Sequence, residues 1–316
     1  MSAFIVVYRA GAPREIVAVA AWQTPREAAS QSSAYNPVMT SSLHNRVAIV
    51  TGGASGIGRA LCQELARRGA LAVVADIDST GAQAVAAAIA ANGGRAEAAL
   101  LDVTRAQDVE RLVEDTVRTH GRLDYMFNNA GVGVAGEVRD LSLDHWRKAV
   151  DINLWGVIYG ATAAYAAMLR QGSGHIVNTA SAAGLVGEPG LAPYSVTKSA
   201  VVALSTALRA EAEGFGVRVS VACPGFVDTA IYENAIGTHI DKDEFLAKLP
   251  VKLVSAQDAA RAILRGVERN EAIMVFPFYA RLAWWLMRIN PGILARFHRR
   301  TLANLRATRA AAPPHS

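Results

Sequence analysis

The chain has 316 residues, is 52% hydrophobic and carries a formal net charge of +5, which excludes a disordered polypeptide and suffices for one large α/β domain or two small ones. Its two cysteines, Cys62 and Cys223, lie far apart in apolar sequence and read as buried free thiols of a reducing compartment, so neither a disulfide framework nor a metal site is expected. Residues 281–316 hold seven arginines and no acidic residue, leaving the rest of the chain at −2; a nearly neutral body argues against nucleic acid as a partner and confines the basic character to the C-terminus.

Residues 1–44 are expected to be a disordered extension or an over-long start. The apolar runs Ile5-Val6-Val7-Tyr8 and 16–22 are broken by Arg9, Pro13, Arg14 and Glu15. They are too short to span a membrane and a poor match to a signal peptide. From residue 45 strand-like and helix-like runs alternate. Strands are expected at 47–50, 71–75, 98–101, 125–127, 175–178, 217–221 and 272–275, and helices at 59–66, 80–91, 106–120, 143–169, 195–213 and 256–268. Such alternation predicts a doubly wound α/β domain over residues 45–275, with a parallel sheet covered on both faces.

The first strand runs into Thr51-Gly52-Gly53-Ala54-Ser55-Gly56-Ile57-Gly58 and then a helix in which Ile57, Leu61 and Leu65 share one face. Strand, glycine-rich turn and helix together build a dinucleotide phosphate site: the glycines allow close backbone approach, and the helix start offers free N–H groups. Asp76 ends the second strand eighteen residues after Gly58, where a carboxylate accepts hydrogen bonds from the adenosine ribose. With Asp78 nearby, and Ser55 rather than a basic residue before Gly56, it disfavours a 2′-phosphate. NAD is therefore expected over NADP. The alternative for Asp76 is a cap on the next helix.

Asn128-Asn129-Ala130-Gly131 follows the fourth strand, where small and amide residues can approach a cofactor. Tyr194 and Lys198 stand one helical turn apart on one face. A free phenol, with a pKa of roughly 10, needs a neighbouring cation to act as a base near neutrality. Ser181, in the loop after the fifth strand, is placed to bond the substrate oxygen along with Tyr194.

In these motifs the chain resembles the short-chain dehydrogenase/reductase family over residues 45–275, in the single-domain branch. The resemblance implies a Rossmann fold and an NAD(P)-dependent oxidoreductase acting on CH–OH groups. It makes Asn153, Ser181, Tyr194 and Lys198 a catalytic tetrad, with Tyr194 as general acid/base and Asn153 holding a water of the proton relay. It implies cofactor contacts from Gly52, Ser55, Gly56, Ile57, Gly58, Asp76 and Asn129. Asp102 and Val103 would flank the adenine, Lys198 and Tyr194 would face the nicotinamide end, and Pro224, Gly225, Val227 and Thr229 would form the loop that holds the carboxamide.

The substrate pocket is expected between residues 182–193 and 230–250, where Leu185, Val186, Leu191, Phe226 and Ile231 suggest a hydrophobic alcohol or ketone. The alanine-rich helices 143–169 and 195–213 could pair with copies of themselves in a homodimer or homotetramer. Two other functions stay open: a non-catalytic dinucleotide sensor, and an NAD-using epimerase or dehydratase. The tail, residues 276–316, opens with an aromatic run too short to cross a bilayer, then sets arginines between apolar residues at helical spacing. It reads either as a basic amphipathic helix on an anionic membrane or as a helix docked on the body or a partner subunit. The expected location is cytoplasmic, with peripheral membrane contact under the first of these readings.

Overall fold

The computed structural model describes residues 43–231, 235–237 and 251–307. Of the extension expected over residues 1–44, residues 1–42 lie outside the described residues, as does most of the segment 230–250, while the last two residues, 43 and 44, belong to the folded domain. Within the described residues, Leu43 is already buried in the core and His44 sits over Gly69.

Seven strands form one sheet: β1 (Val47–Thr51), β2 (Leu71–Asp76), β3 (Arg95–Leu100), β4 (Tyr125–Asn128), β5 (Gly174–Thr179), β6 (Val217–Pro224) and β7 (Ile273–Phe276). All pairings are parallel, in the order β7-β6-β5-β4-β1-β2-β3. Among the described residues, the α-helices of eight residues or more are α1 (Gly56–Arg67), α2 (Ser79–Ala91), α3 (Ala106–His120), α4 (Leu143–Val150), α5 (Gly156–Gln171), α6 (Ala192–Glu211), α7 (Ala256–Glu268), α8 (Phe278–Ile289) and α9 (Pro291–Ala307). Helices pack on both faces of the sheet over two core clusters, one around Leu61, Leu65, Phe127 and Ile263 and the other around Ile49, Met126, Met168 and Ile176. This two-sided cover explains why β1 reads as an unbroken apolar run: all five of its residues are buried.

The third strand begins at Arg95 and ends at Leu100, not at 98–101 as the apolar run suggested. It is an edge strand with β2 as its one partner, so Arg95 and Glu97 can point to water within the ladder. Chain order reverses at β1, which lies between β2 and β4. Since every strand runs the same way, Thr51, Asp76, Asn128, Thr179 and Pro224 all end at one edge of the sheet, where an open α/β sheet binds its ligands.

The helix expected over 143–169 is helical throughout, but not α-helical throughout. A π turn, Asp151–Trp155, separates α4 from α5, and the Gly156 N–H donates to Asp151 O five residues back. Such turns cluster at functional sites, and this one carries Asn153, which is fully buried. The tail is helical as expected and forms two segments. In α8, Tyr279, Ala280 and Trp284 pack into a third cluster with Val157, Val201, Cys223 and Val275.

Candidate active site

The turn after β1 is shaped by glycines where a side chain does not fit. Gly52 and Gly56 have φ of +66° and +50°, and a Cβ on Gly58 would lie 2.0 Å from Gly52 O. Ser55, the N-cap of α1, is extended and exposed, makes no side-chain capping bond, and no acidic residue occupies the first turn. The N–H groups of that turn are thus left for an anion. Ile57 packs on the first core cluster and fixes the helix against the sheet.

Asp76 ends β2 with its carboxylate turned to this loop: Ala54 N–H donates to Oδ2 at 2.9 Å and Asp78 N–H to Oδ1 at 3.0 Å. The helix cap is not Asp76 but Asp78, whose Oδ1 accepts from Gly81 N–H at 2.9 Å. At the next strand end, Asp102 accepts from the N–H and hydroxyl of Thr104, at 2.9 and 2.7 Å. Val103 packs its side chain against Gly156 and the second core cluster and stays partly exposed.

Asn129 and its neighbours are tied to the end of β1. The Thr51 hydroxyl oxygen accepts from Asn129 N–H and Ala130 N–H, both at 3.0 Å, and Asn129 Nδ2 donates to Thr51 O at 3.0 Å. The glycine-rich turn and the Asn128–Gly131 stretch therefore hold each other in place.

Tyr194 and Lys198 lie in the first turns of α6, which starts at Ala192, three residues earlier than expected, with Pro193 pre-setting its first turn. Lys198 is 2% exposed; its Nζ donates to Thr179 O at 2.8 Å and lies 5.7 Å from the Tyr194 ring centroid. Burial pulls its pKa down to about 8. Burial raises the Tyr194 phenol above its ordinary value, and the nearby Ser181 hydroxyl pulls in the other direction without outweighing it. Ser181 Oγ also accepts from Ala183 N–H at 3.2 Å, which orients the hydroxyl. Cys223 sits beneath this group, with burial pushing its thiol up to about 12, so it stays neutral and unreactive.

Asn153 joins the group through the π turn. Its Oδ1 accepts from Val132 N–H at 2.8 Å, and its Nδ2 donates to Val132 O at 2.9 Å and Thr197 Oγ1 at 3.4 Å. Gly131 passes beside it: a Cβ there would meet Asn153 Oδ1 at 3.0 Å and Lys198 Nζ at 3.3 Å.

The last expected contact loop follows β6. Ala182 N–H donates to Pro224 O at 2.8 Å, Gly225 N–H to Phe276 O at 2.7 Å, and buried Val227 pairs with Val254. Thr229 reaches back over the glycine-rich turn, its Cγ2 lying 3.1 Å from where a Gly56 Cβ would be. Two residues that sequence reasoning missed support this frame, along with the hydroxyl of Thr51 at the head of the glycine-rich motif. They are Thr179 and, in the tail, Tyr279, whose phenol oxygen accepts from Phe226 N–H at 2.8 Å. Nothing local marks Tyr279, because its partner lies 53 residues away.

Comparison with known proteins identifies the family and the fold. The profile of the family described as short chain dehydrogenase matches residues 46–238. The chain is 35% identical to 2-(S)-hydroxypropyl-CoM dehydrogenase 3 of Xanthobacter autotrophicus over 72% of this chain and 91% of that protein. It is 37% identical to cyclohexanol dehydrogenase of an Acinetobacter species over 61% of this chain and 78% of that one. Among solved structures, a short chain dehydrogenase/reductase from Burkholderia phymatum in complex with NAD matches with a TM-score of 0.70 at 26% identity, over 87% of this chain and 99% of that one.

Proposed function

Because the chain belongs to the short-chain dehydrogenase/reductase family, we propose that it oxidises a hydrophobic secondary alcohol, or reduces the matching ketone, with NAD as the hydride partner. The observation that carries this reading is the buried Lys198 ammonium, bonded to Thr179 O at 2.8 Å and one helical turn from Tyr194, at the strand ends beside the uncapped start of α1. The residues fit a dinucleotide: the first-turn N–H groups of α1 suit the pyrophosphate, Asp76 the adenosine ribose, Lys198 the nicotinamide ribose, and the loop around Pro224, Gly225, Val227 and Thr229 the carboxamide. Asp76 beside the turn favours NAD over NADP. When bound, the nicotinamide supplies the acceptor or donor of hydride.

The chain's own residues then handle the proton. Tyr194 takes the hydroxyl proton during oxidation and returns it during reduction, while Ser181 orients the substrate oxygen. Burial raises Tyr194 and Ser181 lowers it; the Lys198 ammonium, 5.7 Å from the ring, is the cation that would supply the further lowering a base needs. The Asn153 side chain is spent on Val132 and Thr197, which supports a role in holding the π turn beside the proton relay. Both 2-(S)-hydroxypropyl-CoM and cyclohexanol are secondary alcohols, which supports a secondary alcohol as the reacting group. Exposed Leu143, Trp155 and Leu169 on the long helix support a homodimer or homotetramer through that face, and the buried thiols suit a cytoplasmic location.

The test is nicotinamide absorbance with a panel of secondary alcohols from short aliphatics to steroids, with NAD and NADP in parallel. Tyr194→Phe is expected to lose roughly 10²–10⁴-fold in turnover while NAD binding persists. Parent-like turnover in that variant refutes the assignment of Tyr194, and NAD binding without turnover of any alcohol would move the reading to a sensor.

A further inference from the structure

The two helices of the tail have two faces. The inner face is docked: Tyr279, Ala280 and Trp284 of α8 enter the third core cluster, Leu294 of α9 is buried, and Arg306 forms a two-pronged ion pair with Glu137 at 3.1 and 2.8 Å. The outer face is bare and apolar. Phe278, Leu282, Trp285 and Ile289 recur at helical spacing along α8, and Ile293 and Phe297 extend the series into α9; Phe278 is 75% exposed and Trp285 58%. The sequence posed membrane contact and docking on the body as alternatives for this segment. The faces are separate, so one helix pair can do both.

Basic charge lines the same side. Ile293, Arg296, Phe297 and Arg300 fall at i, i+3, i+4 and i+7, which places two arginines on the stripe that carries the apolar pair. Arg296, Arg299 and Arg300 line a shallow concavity of about 330 Å³ with Ala303, and none of the three forms an ion pair with a described residue. Residues 281–316 contain no carboxylate side chain to neutralise them.

We propose that this outer face docks on an anionic phospholipid surface, with Trp285, Ile289, Ile293 and Phe297 entering the interface and the Arg296–Arg299–Arg300 concavity receiving lipid phosphates. Charge complementarity selects that occupant. In a two-fold contact between copies the three arginines would approach the same arginines, with no acidic side chain on either tail to pair with them. A neutral protein groove would accept the apolar stripe but leave the arginines desolvated and unpaired. A bilayer carrying anionic headgroups satisfies both: tryptophan and phenylalanine settle at headgroup depth while arginines reach the phosphates. The tail lies on such a surface and does not cross it, since α8 has 12 residues and α9 has 17 with several arginines. Through Tyr279, α8 also touches the loop at Phe226, so the docked face lies on the same helix that braces the candidate site.

The experiment is flotation of the full-length protein with vesicles of equimolar phosphatidylcholine and phosphatidylserine, against vesicles of phosphatidylcholine alone. The parent is expected to float with the anionic vesicles, and raised salt is expected to release it. Arg296→Gln/Arg299→Gln/Arg300→Gln should weaken binding by roughly a hundredfold, from the loss of three cations at the surface. Trp285→Ser/Phe297→Ser should weaken it in low salt as well, and both variants alter exposed positions, so circular dichroism should stay parental. Equal flotation with both vesicle types, no flotation, or full release by inorganic phosphate at unchanged ionic strength would overturn the proposal. So would a drop in oligomer size in the Trp285→Ser/Phe297→Ser variant, which would make the face a contact between copies. Because flotation needs no turnover, its outcome is independent of the proposed oxidoreductase activity.

Discussion

Removing a single oxygen from the tail tests whether α8 is part of the catalytic frame. In Tyr279→Phe the ring remains in the third core cluster, but Phe226 N–H loses the acceptor it reaches at 2.8 Å. Leaving a partly buried donor unsatisfied costs about 1–3 kcal/mol. The neighbouring Gly225 N–H keeps its bond to Phe276 O at 2.7 Å, so the loop loosens at one end and does not detach. If about 1–2 kcal/mol of that cost is relieved by the loop leaving its observed position, the competent arrangement is depopulated by roughly 5–30-fold. Apparent affinity for a ligand that needs this loop falls by the same factor. Calorimetric titration with NAD is therefore expected to show Kd raised about 5–30-fold, while kcat at saturating NAD changes less than twofold, because Tyr194 and Ser181 are untouched. Removing the ring as well, in Tyr279→Ala, should weaken binding further. An NAD Kd in Tyr279→Phe within twofold of the parent would refute the reasoning and reduce the contact to packing.

Three other outcomes are expected. Gly58→Ala would place a Cβ 2.0 Å from Gly52 O, straining the turn by about 1–3 kcal/mol; urea unfolding should show that loss together with weakened NAD binding, and unchanged binding would contradict the phosphate role of the turn. Asp76→Asn keeps acceptor oxygen for Ala54 N–H but removes the charge, and should raise the NADP-to-NAD preference in kcat/KM by about tenfold or more. His175 is 3% exposed and its pKa is lowered by burial from 6.5 to about 3; its Nε2 lies 2.9 Å from Ser220 Oγ, which itself donates to Glu271 O, so the neutral ring carries its proton on Nε2. The unfolded chain thus binds a proton that the folded chain refuses, and the stability present above pH 6.5 is lost as pH falls toward about 3, by roughly 2 kcal/mol at pH 5. His175→Gln, which retains an N–H donor, should flatten that part of the unfolding profile between pH 8 and 5; an unchanged profile would assign the acid sensitivity elsewhere.

Much of this site is legible one residue at a time because its signals are local. A strand, a glycine-rich turn and a helix over residues 47–67 need only their own periodicity and the absence of side chains at Gly52, Gly56 and Gly58. The four-residue spacing of Tyr194 and Lys198 already places both on one helical face, and the alternation of strand and helix already implies a parallel sheet. Even there, the sequence could not say whether Asp76 or Asp78 caps α2, because both carboxylates lie within reach of that helix start and only the loop geometry separates them.

What the tertiary structure alone decided depends on partners far apart in the chain. Asn153 meets Val132 across 21 residues through a π turn that no periodicity signals, and its side chain is consumed there. Lys198 reaches Thr179 O, and burial in that position sets its pKa, which spacing alone does not. Tyr279 meets Phe226 and Arg306 meets Glu137, 169 residues away, dividing the tail into a docked face and a bare one. Composition and periodicity report what each segment can bury. Which segment buries it is decided by the order β7-β6-β5-β4-β1-β2-β3, since that order sets which strand ends, loops and helices become neighbours.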